Sequence, residues 1–152
     1  MEITKTPRTP AQRKRDVLDR LAREEDVWVA SADAGGTPWL VALWFLWDGE
    51  AVWLATRTTN PTGRNLREGR RVRLALGDTR DVVLIDGEAE VFTRDEVPAA
   101  TVRAYTAKYG WNPGEDAPSY AYFRVRPLVV QAMCGEHEMA GRQLMRDGRW
   151  VI

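Results

Sequence analysis

A polar segment between an apolar run and the next helical pattern carries the residues best suited to chemistry. Residues 56–60 present three hydroxyls, one guanidinium and one amide. Asn60 is a favourable N-cap and Pro61 occupies the preferred first position of a helix, so free backbone N–H groups should face this segment. Such groups bind anions, and arginine donates parallel hydrogen bonds to phosphate. An ordinary capped connection with solvated arginines is one interpretation; the other is a phosphate-binding corner whose ligands are Thr56, Arg57, Thr58, Asn60 and Arg64.

Cys134 and His137 are the single cysteine and the single histidine of the chain. Two ligands of this kind are too few for zinc, so we expect no metal site. A catalytic Cys-His pair would need both groups in one pocket, and we expect surface residues instead. No G-x-G-x-x-G motif follows a strand and no P-loop is present, which disfavours dinucleotide- and triphosphate-binding folds. The residue types alone leave the catalytic residues unknown.

Composition limits the partners that the protein can have. The 152 residues include 22 Lys or Arg and 22 Asp or Glu, so the formal net charge is zero. A neutral chain gives no support for nucleic acid or an anionic membrane as partner. The basic cluster at residues 13–15 is interrupted by acidic residues and is best interpreted as a solvated helix face. No apolar run approaches the length of a membrane span, and residues 1–15 lack the apolar core of a signal peptide. We therefore expect a cytoplasmic protein.

Hydrophobic periodicity predicts six strands and three main helices. The helices are expected from Thr9-Pro10, over Asn60–Glu68, and from an Asp95 cap to a stop at Gly110. Hairpin turns join the strands, which favours an antiparallel barrel with peripheral helices over a doubly wound sheet. The predicted strands cover Val27–Ser31, Pro38–Trp47, the run from Val52, Val72–Leu76, Asp81–Phe92 and Tyr120–Met133.

The most apolar stretch, Pro38–Trp47, has hydrophobic residues at both alternating sets of positions. A strand apolar on both faces is expected to be buried on both. We therefore expect Trp44 to lie in a packed core. Because a 152-residue chain has few helices with which to cover a barrel, a second subunit is expected to complete the burial.

The order of these segments resembles the pyridoxamine 5′-phosphate oxidase-like FMN-binding split barrels, specifically the flavin/deazaflavin (FMN/F420)-dependent oxidoreductase branch. The resemblance covers about residues 10 to 133 of the sequence. The polar composition of residues 1–9 predicts a flexible arm, and the resemblance implies a single split-barrel flavin-binding domain over residues 10–152. The matching segments are Asp33–Gly36, Pro38–Gly49, Leu54–Thr56, Arg64–Leu66 and Val72–Leu76.

The resemblance also implies a homodimer with two flavin-type cofactors at the subunit interface, either FMN or F420. The cofactor phosphate would lie at the corner from Thr56 to Arg64, and the ring along the strand residues Leu40, Val41, Ala42 and Leu43. One departure from the family pattern bears on this expectation. The paired cations that many members carry before the helix are replaced here by Pro61 and Thr62. Arg57 and Arg64 could take their place, and oxidation of pyridoxamine phosphate itself is disfavoured.

Two functions of different classes remain open. The first is an oxidoreductase that transfers a hydride between FMN or F420 and a small conjugated substrate, in which the cofactor carries the chemistry. The second is a non-catalytic binding protein for a flavin, haem or another flat ligand. The acidic tail of F420 would need basic residues, for which Arg67, Arg70 and Arg71 are candidates. Either function could use the aromatic residues Tyr105, Tyr109, Trp111, Tyr120 and Tyr122.

Overall fold

The computed structural model describes residues 5–152 and consists mainly of β-strands. Four helices and a 3₁₀ turn at Glu136–Glu138 accompany the strands. No helix within the described part of the chain is long and apolar enough to cross a membrane. The helices are α1 (Pro10–Arg23), α2 (Pro61–Glu68), α3 (Ala99–Tyr109) and α4 (Pro113–Asp116). The strands are β1 (Asp26–Ala32), β2 (Pro38–Trp47), β3 (Val52–Arg57), β4 (Arg71–Leu76), β5 (Val82–Phe92), β6 (Tyr120–Met133), β7 (Gln143–Arg146) and β8 (Arg149–Trp150).

Six of these strands close into an antiparallel barrel in the order β3-β2-β1-β4-β5-β6. Pairing of β3 with β6 completes the closure, and it runs from Val52 opposite Val125 to Arg57 opposite Tyr120. The hairpin of β7 and β8 extends the sheet from the far end of β6. The predicted fold class, a mainly β, six-stranded antiparallel barrel with a few helices, is confirmed.

Turn and bulge residues lie where the sequence pattern placed them. Gly36 and Gly49 adopt φ angles of 84° and 101° in the turns on either side of β2, a conformation that favours glycine. The pairing of β5 with β6 shifts register between Asp86 and Gly87, opposite Pro127. A bulge at this point accommodates a proline that cannot donate to the ladder. The long strands β5 and β6 can therefore bend around the barrel.

The barrel interior is a single apolar core, and a smaller cluster lies outside it. Val29, Phe45, Leu54, Leu74 and Phe123 are completely buried inside the barrel. Helix α1 packs Val17 and Leu21 against the same core. The second cluster lies where α3 covers the outer side of β3 and β6, and its members include Trp53, Tyr105 and Tyr122. The second cluster fixes the position of α3 beside the end of β3.

Two expectations about local structure are wrong. Asp95 does not cap α3, because the helix begins at Ala99 after the N-cap Pro98. Residues 93–97 form a turn in which the N–H of Val97 bonds to the carbonyl of Thr93, and proline disfavours helical geometry in the residue before it. Trp44 is 41% exposed in this chain, so it does not lie in a packed core. Its ring stacks on Tyr109 of α3 at 4.6 Å and meets Trp111 edge-on, and these contacts cover it in part.

The expected flexible arm falls partly on residues 1–4, which lie outside the described residues. Later in the same segment, Arg8 pairs with Glu138, Asp16 and Asp81 at 2.8 to 3.0 Å. Thr9 forms the capping box of α1 with Gln12. The segment at residues 8–9 is thus joined by hydrogen bonds and ion pairs to α1, the β4–β5 connection and the C-terminal turn.

Candidate functional site

The predicted corner lies between the end of β3 and the start of α2. The side-chain oxygen Oδ1 of Asn60 accepts a hydrogen bond from the N–H of Gly63 at 2.8 Å, which confirms the predicted N-cap. The Asn60 amide donates to the Thr56 hydroxyl at 2.9 Å, so the cap also joins the helix to the strand. A Cβ atom on Gly63 would lie 2.0 Å from the carbonyl oxygen of Arg57. Helix and strand therefore approach each other as closely as a glycine permits.

The two arginines of the corner point in different directions. Arg64 turns back and donates to the carbonyl of Thr59 at 2.6 Å. Arg57 instead donates to the Ser119 hydroxyl at 3.0 Å and stacks on the ring of Tyr120, 4.7 Å from its centroid. Thr58 also points toward Ser119, because its N–H and its hydroxyl both donate to the Ser119 carbonyl.

Thr56, Asn60 and Arg64 are therefore brought together at the helix start, while Arg57 and Thr58 engage the start of β6. Pro61 has no N–H, and the N–H groups of Gly63 and Arg64 already bond to Asn60. Of the first helical turn, the N–H of Thr62 lacks a partner within the helix, but Thr62 is only 2% exposed. The exposed Arg64 guanidinium is therefore the main donor that this corner presents to an anion.

The predicted ring-binding residues Leu40, Val41, Ala42 and Leu43 lie along β2, where the strand has one open edge. Strand β2 pairs with β1 from Pro38 to Trp44. Its pairing with β3 covers only Phe45 to Trp47. The two strands therefore separate on the N-terminal side of Phe45 in β2, and the gap between them opens toward the corner. Backbone groups on this edge are available to a ligand, as expected for a strand edge.

An aromatic cleft of about 560 Å³ occupies the gap between these strands. This volume lies within the range of small-molecule sites. It contains three of the predicted residues, Ala42, Leu43 and Thr56, and it begins where the corner ends. Sequence reasoning did not single out Asp26, because its place beside Trp44 depends on strand register. The lining residues are Asp26, Ala42, Leu43, Trp44, Ala55, Thr56, Tyr105, Trp111 and Tyr120.

The walls of the aromatic cleft are held by ring-to-ring contacts. The ring of Trp111 meets Trp44 edge-on at 6.1 Å and Tyr120 at 5.1 Å. Tyr105 contacts Trp111 and the buried Tyr122 at 6.3 and 5.6 Å. Contacts of this geometry stabilise the orientation of each ring. The cleft therefore presents preformed aromatic surfaces beside the corner, as a site for a flat ligand requires.

Tyrosine and lysine side chains that anchor α3 have shifted pKa values. Burial raises the pKa of Tyr109 to about 12, and its hydroxyl bonds to the backbone of Phe45. Burial also raises the pKa of Tyr105. The pKa of Lys108 is lowered by burial, and its ammonium donates to the carbonyls of Glu24 and Phe45. Tyr105 and Tyr109 thus stay neutral near pH 7.

Cys134 and His137 lie away from the corner, in a groove beside the C-terminal end of β6. Cys134 is half-buried and its N–H donates to the carboxylate of Glu138. Among residues 5–152, no group of three or more His, Cys, Asp or Glu side chains is placed to hold a metal ion. The groove and the aromatic cleft share no lining residue.

Comparison with known proteins agrees with this architecture. Residues 14–134 match the family model described as pyridoxamine 5′-phosphate oxidase. No curated protein matches the chain. A solved F420 reductase is 24% identical over 74% of this chain and 93% of its own, with a TM-score of 0.59. A putative pyridoxamine 5′-phosphate oxidase from Listeria innocua is 20% identical over 80% of this chain and 98% of its own, with a TM-score of 0.65.

HutZ, a heme storage protein from Vibrio cholerae, also has this fold. It is 18% identical over 76% of this chain and 89% of its own, with a TM-score of 0.61. At such identities the three structures establish the shared fold and nothing about the ligand. The family model, in contrast, covers most of the chain. The chain belongs to the pyridoxamine 5′-phosphate oxidase family.

Proposed function

We propose that the protein is a flavin-type oxidoreductase that binds FMN, or alternatively F420, and acts on a small conjugated substrate. The observation that carries this proposal is the continuity of two features. The corner around Asn60 presents the exposed Arg64 guanidinium to a phosphate, and the gap between β2 and β3 leads from it into the aromatic cleft. A ligand with a phosphate at one end and a flat ring system at the other matches this arrangement.

The residues present fit such a cofactor. Arg64 would hold the phosphate, and the open edge of β2 from Leu40 to Leu43 would hydrogen-bond the ring through backbone atoms. The bound cofactor would supply hydride transfer. The aromatic walls would orient a flat substrate and exclude water, which strengthens the remaining electrostatic contacts. The neutral hydroxyl of Tyr109 is bound to the backbone of Phe45 and serves to position α3.

The proposal includes a homodimer. Trp28 and Ala42 lie directly opposite each other on the outer face of β1 and β2, and Leu40 and Trp44 flank Ala42 on the same face. Leu40 is 60% exposed, and the two tryptophans are exposed by 44% and 41%. An exposed apolar surface of this kind is typical of a protein interface. A second subunit placed here would cover the aromatic cleft and complete the cofactor site. We place this dimer in the cytoplasm.

A non-catalytic binding protein is the second candidate. The observation that favours it is the sparse set of phosphate donors, since Pro61 and Thr62 stand where many members carry two cations. The aromatic cleft alone could hold a haem or another flat ligand without turnover. The absorption spectrum of the purified protein, followed by titration with FMN, F420 and haem, distinguishes these ligands because their spectra differ.

Substitution of Arg64 tests the phosphate corner. Arg64→Ala removes a charge-assisted hydrogen bond and should weaken FMN binding roughly ten- to a hundredfold while the fold stays intact. Riboflavin lacks the phosphate, so its affinity should not change. The loss should persist in 0.15 M salt, where the Debye length is about 8 Å.

Arg70→Ala is the matched control for this experiment. It removes the same charge beyond the end of α2, at a residue whose φ of 64° an alanine can inherit without a new clash. Equal losses in the two variants would indicate a long-range charge effect. An equal fall in riboflavin affinity would mean that Arg64 supports the ring or the fold, and either result would contradict the phosphate assignment.

A further inference from the structure

The aromatic cleft has a charged side chain at its mouth that the phosphate hypothesis does not use. Asp26 begins β1 and lies directly opposite Trp44 in the ladder with β2. It lines the cleft together with Tyr105, Trp111 and Tyr120. The faces of Trp and Tyr rings attract cations, and a carboxylate adds a full negative charge. Aromatic cages of this composition recognise organic cations in other proteins.

We propose that the aromatic cleft binds a flat organic cation, with its ring between the aromatic walls and its positive charge facing Asp26. The inference rests on the proposed function only in taking the cleft as the place of the substrate. It deepens that function by naming the charge of the substrate, and it holds for either cofactor. Asp26 is then the residue that sets specificity for a cation over a neutral or anionic ring.

The local field has the sign that this proposal requires. Burial is the main cause that raises the pKa of Tyr109, and the negative charges of Glu25 and Asp26 raise it further. The ring of Tyr109 stacks on Trp44 at 4.6 Å, so the field acts at the wall of the cleft. A cation entering beside Trp44 would be attracted by the same charges.

The nearest basic side chains are engaged elsewhere. Arg57 is held by Ser119 and by the ring of Tyr120 at one end of the cleft. Lys108 donates to the carbonyls of Glu24 and Phe45, and its ammonium lies 4.5 Å from the centroid of the Phe45 ring and 5.3 Å from that of Tyr109. Among residues 5–152, no Lys, Arg or His side chain pairs with Asp26 within 4.0 Å. Its carboxylate is therefore available to a ligand.

Three ring compounds of similar size and different charge test this inference by equilibrium dialysis against the cofactor-free protein. These are the cation 1-methylnicotinamide, the neutral nicotinamide and the anion nicotinate. The cation should bind about tenfold more tightly than nicotinamide, as expected for a partly desolvated cation–π site. Nicotinate should bind most weakly. Asp26→Asn should bring the ratio of cation to neutral affinity close to one, and Trp44→Ala should weaken both.

Glu50→Gln, which removes an exposed carboxylate in the β2–β3 turn, is the control and should leave the ratio unchanged. Equal binding of the three compounds, a preference for nicotinate, or an unchanged ratio in Asp26→Asn would overturn the inference. Circular dichroism of each variant verifies the fold. A separate FMN titration keeps the two proposals apart. Loss of FMN binding with a retained cation preference contradicts only the cofactor, whereas FMN binding without that preference contradicts only the inference drawn here.

Discussion

Gly63 is the residue that lets α2 start directly against the end of β3. A Cβ atom there would lie 2.0 Å from the Arg57 carbonyl oxygen and 2.9 Å from the Thr58 Cα. Both neighbours are backbone atoms, so neither can move without displacing the strand or the helix. We expect Gly63→Ala to lower the free energy of unfolding by about 3 kcal/mol, the upper end of typical overpacking costs. Urea denaturation of the variant measures this loss.

The matched control is Gly77→Ala. A Cβ atom at Gly77 meets nothing within 4 Å, and its φ lies outside the left-handed region. The same chemical change should therefore alter stability by no more than about 0.5 kcal/mol. Equal effects of the two substitutions would show that the close approach of helix and strand at Gly63 costs nothing, and that the corner can relax.

For single residues, the sequence predicted a contact correctly where the hydrogen-bond partner is close in the sequence. The Asn60 cap bonds to Gly63, three residues on, and such bonds follow from residue type and position. The direction of Arg57 could not be foreseen, because its partner Ser119 is 62 residues away. Asp26 was missed for a similar reason, since only the register of β1 on β2 sets it beside Trp44.

Among the strands, β2 shows what the alternation of inward and outward residues can and cannot predict. Its period of two correctly separates inward from outward residues between Val41 and Phe45, which is fully buried, but Trp39, also at an inward position, is 44% exposed. The hydrophobicity of the outward residues led to the expectation of burial, which is wrong within one chain. Hydrophobicity indicates that a residue is suited to burial, but not whether its own chain or another molecule covers it.

The exposed apolar residues on the outer face of β1 and β2 therefore lead to a testable prediction about assembly. We expect Leu40→Glu to dissociate the proposed homodimer, because a buried carboxylate without a partner at an interface costs several kcal/mol. Leu40 is 60% exposed in the single chain, so the subunit fold should survive. Sedimentation velocity at micromolar concentration should show a dimer for the parent chain and a monomer for the variant.

Val91→Glu is the control for this experiment. Val91 is also an exposed aliphatic residue, at 38%, but it lies near the end of β5. Its substitution should leave the sedimentation coefficient unchanged. A parent chain that is monomeric at this concentration would contradict the dimer and remove the proposed interface cofactor site. Dissociation by both variants would point to a general effect of added charge.

At the scale of the whole molecule, the buried carboxylate of Glu138 joins the segment before α1 to the C-terminal turn. Glu138 is 1% exposed and accepts hydrogen bonds from the backbone N–H and the side chain of Arg8, 130 residues away, and from the N–H of Cys134. Arg8 also pairs with Asp16 of α1 and Asp81 of the β4–β5 connection. No local pattern predicts a network that depends on closure of the barrel.

This network gives the stability of the protein an acid-sensitive component. Hydrogen bonds from Arg8 are the main cause that lowers the pKa of Glu138 from 4.5 to about 2. A carboxylate whose pKa is lower in the folded state stabilises the fold fully above its unfolded pKa. That stabilisation is lost as the pH falls from about 4.5 through 2. At 1.36 kcal/mol per pKa unit, Glu138 contributes about 3 kcal/mol to the free energy of unfolding at neutral pH.

Glu138→Gln tests this contribution, with Glu136→Gln at the exposed neighbouring position as control. Urea denaturation at pH 7, 4 and 2.5 should give a Glu138→Gln variant that is less stable than the parent by about 3 kcal/mol at pH 7. The difference should shrink steadily toward pH 2.5, because below about pH 4.5 the glutamate binds a proton in the unfolded parent while it stays ionised in the fold. Glu136→Gln should follow the parent at every pH. A Glu138→Gln variant that loses as much stability on acidification as the parent would show that other carboxylates control the acid response, and that the tie between Arg8 and the C-terminal turn contributes little.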